Sequence, residues 1–136
     1  MTIKEKKAAL KHYRVWLGRQ RDLENEIEEL RLSQTSPAAR IGDGMPHSHN
    51  PKGLEDYVAQ LDELERKLTE ARRTCLNARL SITVSIEALK DPREKRAMDL
   101  HYVQGMSWSE VAYIMGYDVR HILRIHGSAL QHIVIV

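Results

Sequence analysis

Hydrophobic residues recur along residues 54–89 in alternating steps of three and four, the spacing of a heptad seam on one helix face. Ser85 interrupts the seam, and charged segments such as DELERK and TEARR fill the outer faces. The pattern predicts one helix about 54 Å long, at about 1.5 Å per residue. Its apolar positions are Leu54, Tyr57, Leu61, Leu64, Leu68, Ala71, Cys75, Ala78, Ile82 and Leu89.

Residues 3–32 carry a shorter and less regular version of this pattern, at Leu10, Tyr13, Leu17, Leu23, Ile27 and Leu30. Residues 33–53, between the two, are rich in Ser, Pro, Gly and Asn, so we expect a flexible loop there. We therefore predict an all-α chain in which residues 1–90 form a long antiparallel helical hairpin of the coiled-coil type.

Three capping signals divide residues 91–136 into short helices. Two of the caps are followed three residues later by a glutamate, whose carboxylate can reach back to the cap. A glycine before the second helix and another before the third suit the ends of the preceding helices. The caps are Asp91 with Glu94, Ser107 with Glu110, and Asp118; the glycines are Gly105 and Gly116. We predict helices at 92–104, 108–115 and 119–132, which together form a compact trihelical module.

The last two of these helices carry the spacing of a helix-turn-helix. The motif needs a small residue where the helices cross, a residue suited to a tight turn and an apolar plug from the second helix. Ala112, Gly116 and Ile122 have these properties at the required offsets. Val111, Met115, Ile125 and the two aromatic residues Trp108 and Tyr117 are expected to complete or cover the small core.

A helical projection of residues 119–133 places Ile122, Ile125, Ala129 and Ile133 on one side and Arg120, Arg124 and Gln131 on the other. Arginine can pair with guanine edges or bind phosphates, and the start of the second helix usually meets the bases. His126 falls on the inner side, and His101 is expected on the surface. The predicted DNA contacts are Val119, Arg120, His121, Arg124, Ser128 and Gln131.

The charge is spread unevenly along the chain. Residues 1–21 hold seven Lys or Arg against one Glu, residues 22–33 hold one Arg against five acids, and residues 91–136 hold five of each. A basic segment can lie on phosphate but is often only a solvated face. The balanced C-terminal module argues against binding to nucleic acid by charge alone.

The stretch from Asp91 to Leu130, DPREKRAMDLHYVQGMSWSEVAYIMGYDVRHILRIHGSAL, resembles region 4 of bacterial sigma factors and, more closely, phage-encoded regulators of the RinA and ArpU type. The stretches DYVAQLDELE and MP, which precede it in the chain, also resemble segments of proteins of this group. The resemblance implies a helical N-terminal part before a sigma-like helix-turn-helix. It also implies control of phage late genes through double-stranded DNA, with RNA polymerase as a further expected contact. Separately, the long helical seam and the weak charge of the C-terminal module favour pairing with a second copy, so a homodimer is one expected assembly.

Two other functions fit the same pattern. A small-terminase-like DNA packaging component also joins a helix-turn-helix to an oligomerising helical part, and a coiled-coil protein-interaction module would not bind DNA at all. An enzyme is not expected, because no nucleophile with a base, metal-ligand set or phosphate loop is recognisable.

We expect no cofactor and no metal site, since His47 and His49 lack further ligands nearby. The single cysteine, Cys75, fits a reducing compartment. Neither a signal peptide nor an apolar run of about 18 residues is present, so we expect a protein of the bacterial host cytoplasm without membrane contact.

Overall fold

The structure is a computed structural model, and it describes residues 1–35 and 51–136. All regular elements in these ranges are helices. They are α1 (Ile3–Thr35), α2 (Pro51–Glu87), α3 (Pro92–Met98), α4 (Trp108–Met115) and α5 (Val119–His132), with a π-helical segment, Asp99–Val103, that continues α3. The prediction of an all-α chain, with a helical hairpin followed by a small helical module, is confirmed.

The two long helices extend further than predicted. Residues 33–35 belong to α1 and residues 51–53 belong to α2, although the sequence predicted a loop over 33–53. Adding a residue to an existing helix costs far less than starting one, so polar residues at its end can remain helical. The rest of the predicted loop, with His47 and His49, lies outside the described residues.

Residues 18–35 and 51–73 belong to one compact unit, in which the end of α1 packs on the first part of α2. Its buried side chains are Leu23, Ile27, Leu68 and Ala71. Ion pairs of Arg72 with Glu24 (3.3 Å) and of Arg31 with Glu65 (2.9 Å) fix an antiparallel register.

The heptad seam of α2 is not buried along its whole length. Leu54 is 63% exposed, although the periodicity placed it in the seam. Arg31 lies opposite Glu65, so Thr35 at the end of α1 reaches only to about residue 61 of an antiparallel partner. No described residue of α1 is therefore available to cover Leu54.

Residues 1–17 and 74–136 form the second compact unit. Its larger core joins the start of α1, the end of α2, α3, the π-helical segment and α5 through Leu10, Tyr13, Cys75, Ala78, Ile82, Ile86, Leu89, Met98, Tyr102, Val103, Ala129, Leu130 and Ile133. A smaller core contains Ala97, Leu100, Val111, Ala112, Ile122 and Ile125, with Met115 packed against it. Trp108 packs against both cores, as expected of a residue that covers the module.

Ser85 interrupts the heptad seam for a structural reason. Its side chain is fully buried, and its hydroxyl donates to the carbonyl of Ser81 (2.8 Å) and accepts the N–H of Val136 (3.0 Å). A buried polar group needs such partners because an unsatisfied one is costly. Ser85 thus fastens the apolar tail, whose Ile133 is buried, to α2.

Ile122 and Leu123 are neighbours on α5 with opposite environments, since Ile122 is fully buried and Leu123 is 46% exposed. We expect Ile122→Ala to lower the free energy of unfolding by about 2–5 kcal/mol because it leaves a cavity. Leu123→Ala, the matched control, should change it by less than about 1 kcal/mol. Urea denaturation followed by circular dichroism measures both, and equal losses would contradict the packing described.

Candidate nucleic-acid interface

The turn between α4 and α5 fixes where α5 begins. Gly116 ends α4 with φ 74°, a left-handed conformation that favours glycine, and the Tyr117 N–H donates to the Ala112 carbonyl at 3.0 Å. The Asp118 carboxylate then accepts the His121 N–H at 2.8 Å and caps α5. The predicted cap and left-handed glycine are therefore both present.

The first turn of α5 presents three of the predicted contacts. Val119 is 39% exposed, Arg120 is exposed, and the half-buried His121 ring packs edge-on against Tyr117 with ring centroids 4.6 Å apart. Tyr117, which was expected to cover the small core, is 36% exposed. The His121 ring is therefore held in place by an aromatic neighbour at the module surface.

We define the outward face of α5 as the exposed residues that lie opposite the buried side chains of the same helix, namely Arg120, Leu123, Arg124, Gly127 and Gln131. The first and last residues of the helix, Val119 and His132, are also exposed. Arg120 and Arg124 stand one helical turn apart, and neither has an ion-pair partner within the described part of the chain. Their guanidinium groups are thus available to a ligand, as the projection predicted.

Ser128 has a different environment from the other predicted contacts. Its hydroxyl donates to Glu94 Oε1 at 2.7 Å, and His132 Nδ1 lies 3.1 Å from the same oxygen. Glu94 is only 3% exposed, so its carboxylate needs these partners. The structure therefore places Ser128 against α3 rather than on the outward face, and its role as a DNA contact stays a prediction.

Glu94 itself differs from the sequence expectation. We expected its carboxylate to reach back to the cap at Asp91, but only the Asp91 side chain caps α3, by accepting the Arg93 N–H at 2.9 Å. The Glu94 side chain points to α5 instead, because Ser128 and His132 offer it hydrogen bonds. This arrangement ties α3 to the last turns of α5.

Four aromatic rings form a cluster beside α5. His101 stacks on Trp108 (ring centroids 3.7 Å apart), Trp108 lies 4.4 Å from His126, and His126 Nε2 is 2.7 Å from the Tyr102 hydroxyl. His101 Nδ1 donates to the Met106 carbonyl at 2.7 Å. His126 is on the inner side as predicted, whereas His101 is part of the cluster and not the surface residue that was expected.

Burial shifts the pKa values of three side chains in this cluster. Desolvation lowers the pKa of His101, and it lowers the pKa of His126 to about 4, with the positive charges of Lys7 and Lys11 adding to the effect. Burial also raises the pKa of Tyr102 to about 12. Neutral His126 can therefore accept the Tyr102 hydroxyl hydrogen near pH 7.

The start of α1 supports the module with its basic side chains. Lys6 Nζ donates to the Leu130 carbonyl at 2.9 Å, and Arg14 Nη1 donates to the Val103 carbonyl at 3.4 Å. The Arg14 guanidinium also lies against Gly105, where a Cβ would come within 2.3 Å of it. Two basic side chains of residues 1–21, a segment that could have bound phosphate, thus form hydrogen bonds within the protein instead.

Several exposed residues near α5 were not predicted from the sequence. Tyr113 on α4 is 88% exposed, and Arg93 and Arg96 of α3 line a cleft with Ile114 and Tyr117. They lie on helices before α5, so a projection of that helix alone could not find them. They add exposed basic and aromatic side chains on α3, on α4 and in the turn before α5.

The described residues contain no group of three or more His, Cys, Asp or Glu side chains arranged to hold a metal ion. No helix in residues 1–35 and 51–136 is both long enough and apolar enough to span a bilayer. Searches against family models, curated proteins and solved structures gave no match for the chain.

We expect acid to destabilise the fold through His126. Its pKa in the folded state, about 4, lies below the ordinary 6.5, so the unfolded chain binds the proton first. The contribution of this ring is present above pH 6.5 and is lost as the pH falls towards 4.

Urea denaturation of the wild type and of His126→Gln between pH 7.5 and pH 4.5 measures this contribution, with other groups titrating equally in both proteins. The variant should lose less stability on acidification than the wild type. Parallel curves for the two proteins would show that His126 does not titrate in this way.

Proposed function

We propose that the protein is a sequence-specific, double-stranded DNA-binding transcription regulator that places the outward face of α5 in the major groove. The observation that supports this most is that Arg120 and Arg124 are both exposed, and have no ion-pair partner among residues 1–35 and 51–136, on a helix whose opposite side is buried at Ile122 and Ile125. The buried side holds the helix, and the arginines are free to contact DNA.

The size of α5 suits this role. The major groove of B-DNA is about 12 Å wide and admits one α-helix, whose first residues usually meet base edges. Val119, Arg120 and His121 occupy that first turn, and Arg124 follows within reach of the same groove. We propose that Gln131, exposed near the far end of α5, contacts the DNA backbone.

The preceding helices supply contacts outside the groove. In helix-turn-helix proteins the first helix of the motif crosses the DNA backbone. Tyr113 on α4 is 88% exposed, and its hydroxyl can donate to a phosphate oxygen. Arg93 and Arg96 of α3 line a cleft with Tyr117, which lies just before the start of α5. Arg93 also pairs with Asp91 at 3.5 Å, so Arg96 is the better candidate of the two for a phosphate contact.

The resemblance to sigma region 4 and to RinA- and ArpU-type regulators gives this activity a setting. We propose that the protein acts on late genes of a phage or prophage, in the cytoplasm of the bacterial host, with RNA polymerase as a second partner. The support is the stretch from Asp91 to Leu130 that carries the resemblance, together with the helix-turn-helix arrangement of α4 and α5.

Replacing both Arg120 and Arg124 with Ala should strongly weaken sequence-specific DNA binding. Each arginine that pairs with a base contributes roughly 1–3 kcal/mol of discrimination, so the double variant should lose about 30-fold or more in specific affinity. Gel shifts with a duplex selected by the wild-type protein from a random pool measure this loss.

The matched control is Arg66→Ala with Arg79→Ala, two exposed arginines of α2, which should bind like the wild type. Circular dichroism should be unchanged in both double variants. Undiminished specific binding by the α5 variant would show that another surface reads the DNA.

Leu123 adds an apolar contact to the proposed reading face. It lies between Arg120 and Arg124 in sequence and, with Val119 one turn earlier, forms an exposed apolar pair on α5. Apolar side chains in the major groove recognise the methyl group of thymine. We therefore propose that Leu123 favours sites that present thymine opposite the middle of α5.

Replacing thymine with deoxyuridine in the selected duplex removes only these methyl groups. Wild-type affinity should fall about 5-fold or more, because one buried methyl is worth roughly 1 kcal/mol. Leu123→Ala should bind the two duplexes almost equally. Specific binding that is insensitive to this exchange would exclude the thymine contact while leaving the proposed function intact.

A further inference from the structure

A second surface of the protein carries an apolar pattern that neither core explains. Leu76, Leu80 and Val84 of α2 are 58%, 55% and 52% exposed. Their spacing of four residues places them on successive turns of one helix face, over about 12 Å. This stripe lies opposite the side of α2 that buries Cys75, Ala78 and Ile82.

Single exposed aliphatic residues are common and need no explanation, but a row of them on one face often marks an interaction site. The cleft that runs along a neighbouring side of α2 involves Thr74, Asn77 and Ser81, and not the three residues of the stripe. The described residues therefore leave the stripe open to a partner.

The sequence around the stripe is complementary to itself. In a two-fold dimer of antiparallel helices centred on Leu80, a residue before the centre faces the residue equally far after it in the second copy. Leu76 then faces Val84, Leu80 faces Leu80, and the polar Asn77 faces Thr83. One heptad out from the centre, Arg73 faces Glu87, so opposite charges meet at both ends of the stripe.

We propose that the α2 stripe is a homodimer interface in which two copies of this helix pack antiparallel around Leu80. The apolar residues supply the contact, and the two Arg73–Glu87 pairs select the antiparallel register. Three residues on one helix face bury much less than the roughly 800 Å² per partner of a stable interface. We therefore expect a weak dimer with a dissociation constant in roughly the micromolar range.

Sedimentation velocity over a concentration series tests the interface on the full chain. The wild type should shift from monomer to dimer, and Leu80→Asp should raise the dissociation constant at least about tenfold, because two carboxylates would meet on the two-fold axis. Leu54→Asp, the same change at an exposed position of the same helix outside the stripe, should leave it unaltered.

Charge reversal tests the register. Arg73→Glu and Glu87→Arg should each weaken the dimer by placing like charges opposite each other, and the double variant should restore it. A wild type that stays monomeric, a ring of more than two subunits, a dimer indifferent to Leu80→Asp, or single reversals without effect would each overturn the proposal. Circular dichroism confirms that every variant is folded.

The proposal does not depend on DNA binding, since the assembly is measured without DNA. A protein that dimerises but does not bind DNA would support the dimer interface and contradict the proposed function. A protein that stays monomeric but binds a specific DNA site would contradict the dimer interface and support the proposed function.

Discussion

The orientation of α5 is the constraint on which the account of this protein depends. Ile122 fills the small core beside Ala112, and a larger residue at Ala112 would hold the second helix away. At the other end of α5, the buried carboxylate of Glu94 accepts the Ser128 hydroxyl. With both ends of α5 held, the helix presents the face that carries Arg120 and Arg124 to the outside.

The N-terminal helix contributes to the same result in a way that charge alone does not suggest. Lys6 and Arg14 donate hydrogen bonds to backbone carbonyls at the ends of α5 and of the π-helical segment. Carbonyls at the C-terminal end of a helix attract cations. Fewer of the basic residues of this segment are then available to DNA. Two copies joined through the proposed α2 interface would each raise the effective concentration of the other at a paired DNA site.

Sequence signals correctly predicted those features, such as helix caps and turns, that depend on interactions between residues close together in the chain. Asp118 and Gly116 act as the cap and the left-handed residue that their positions indicated, because such roles depend only on neighbouring backbone groups. Predictions that needed a distant partner were less complete. Glu94 carries a capping-box spacing, yet its carboxylate turns to Ser128, and the exposure of Leu54 follows from where α1 ends.

The same distinction applies to the candidate site. Arg120 and Arg124 are exposed as the helical projection predicted, whereas Tyr113 and Arg96 belong to other helices and need the tertiary structure to be found. The continuation of α3 as a π-helix over Asp99–Val103 was also beyond the sequence pattern. An inserted π-helical turn shifts the register by about one residue, and here it accompanies the burial of both Tyr102 and Val103.

The central claim, that the protein recognises a particular DNA sequence, is tested most directly by gel shift of the wild-type protein on fragments of the genome around its own gene. The measurement is made at two salt concentrations, because binding that rests on phosphate contacts falls steeply with salt. The account predicts that one fragment stays bound at the higher salt while the others are released. Release of every fragment would contradict it and leave only nonspecific contact with DNA.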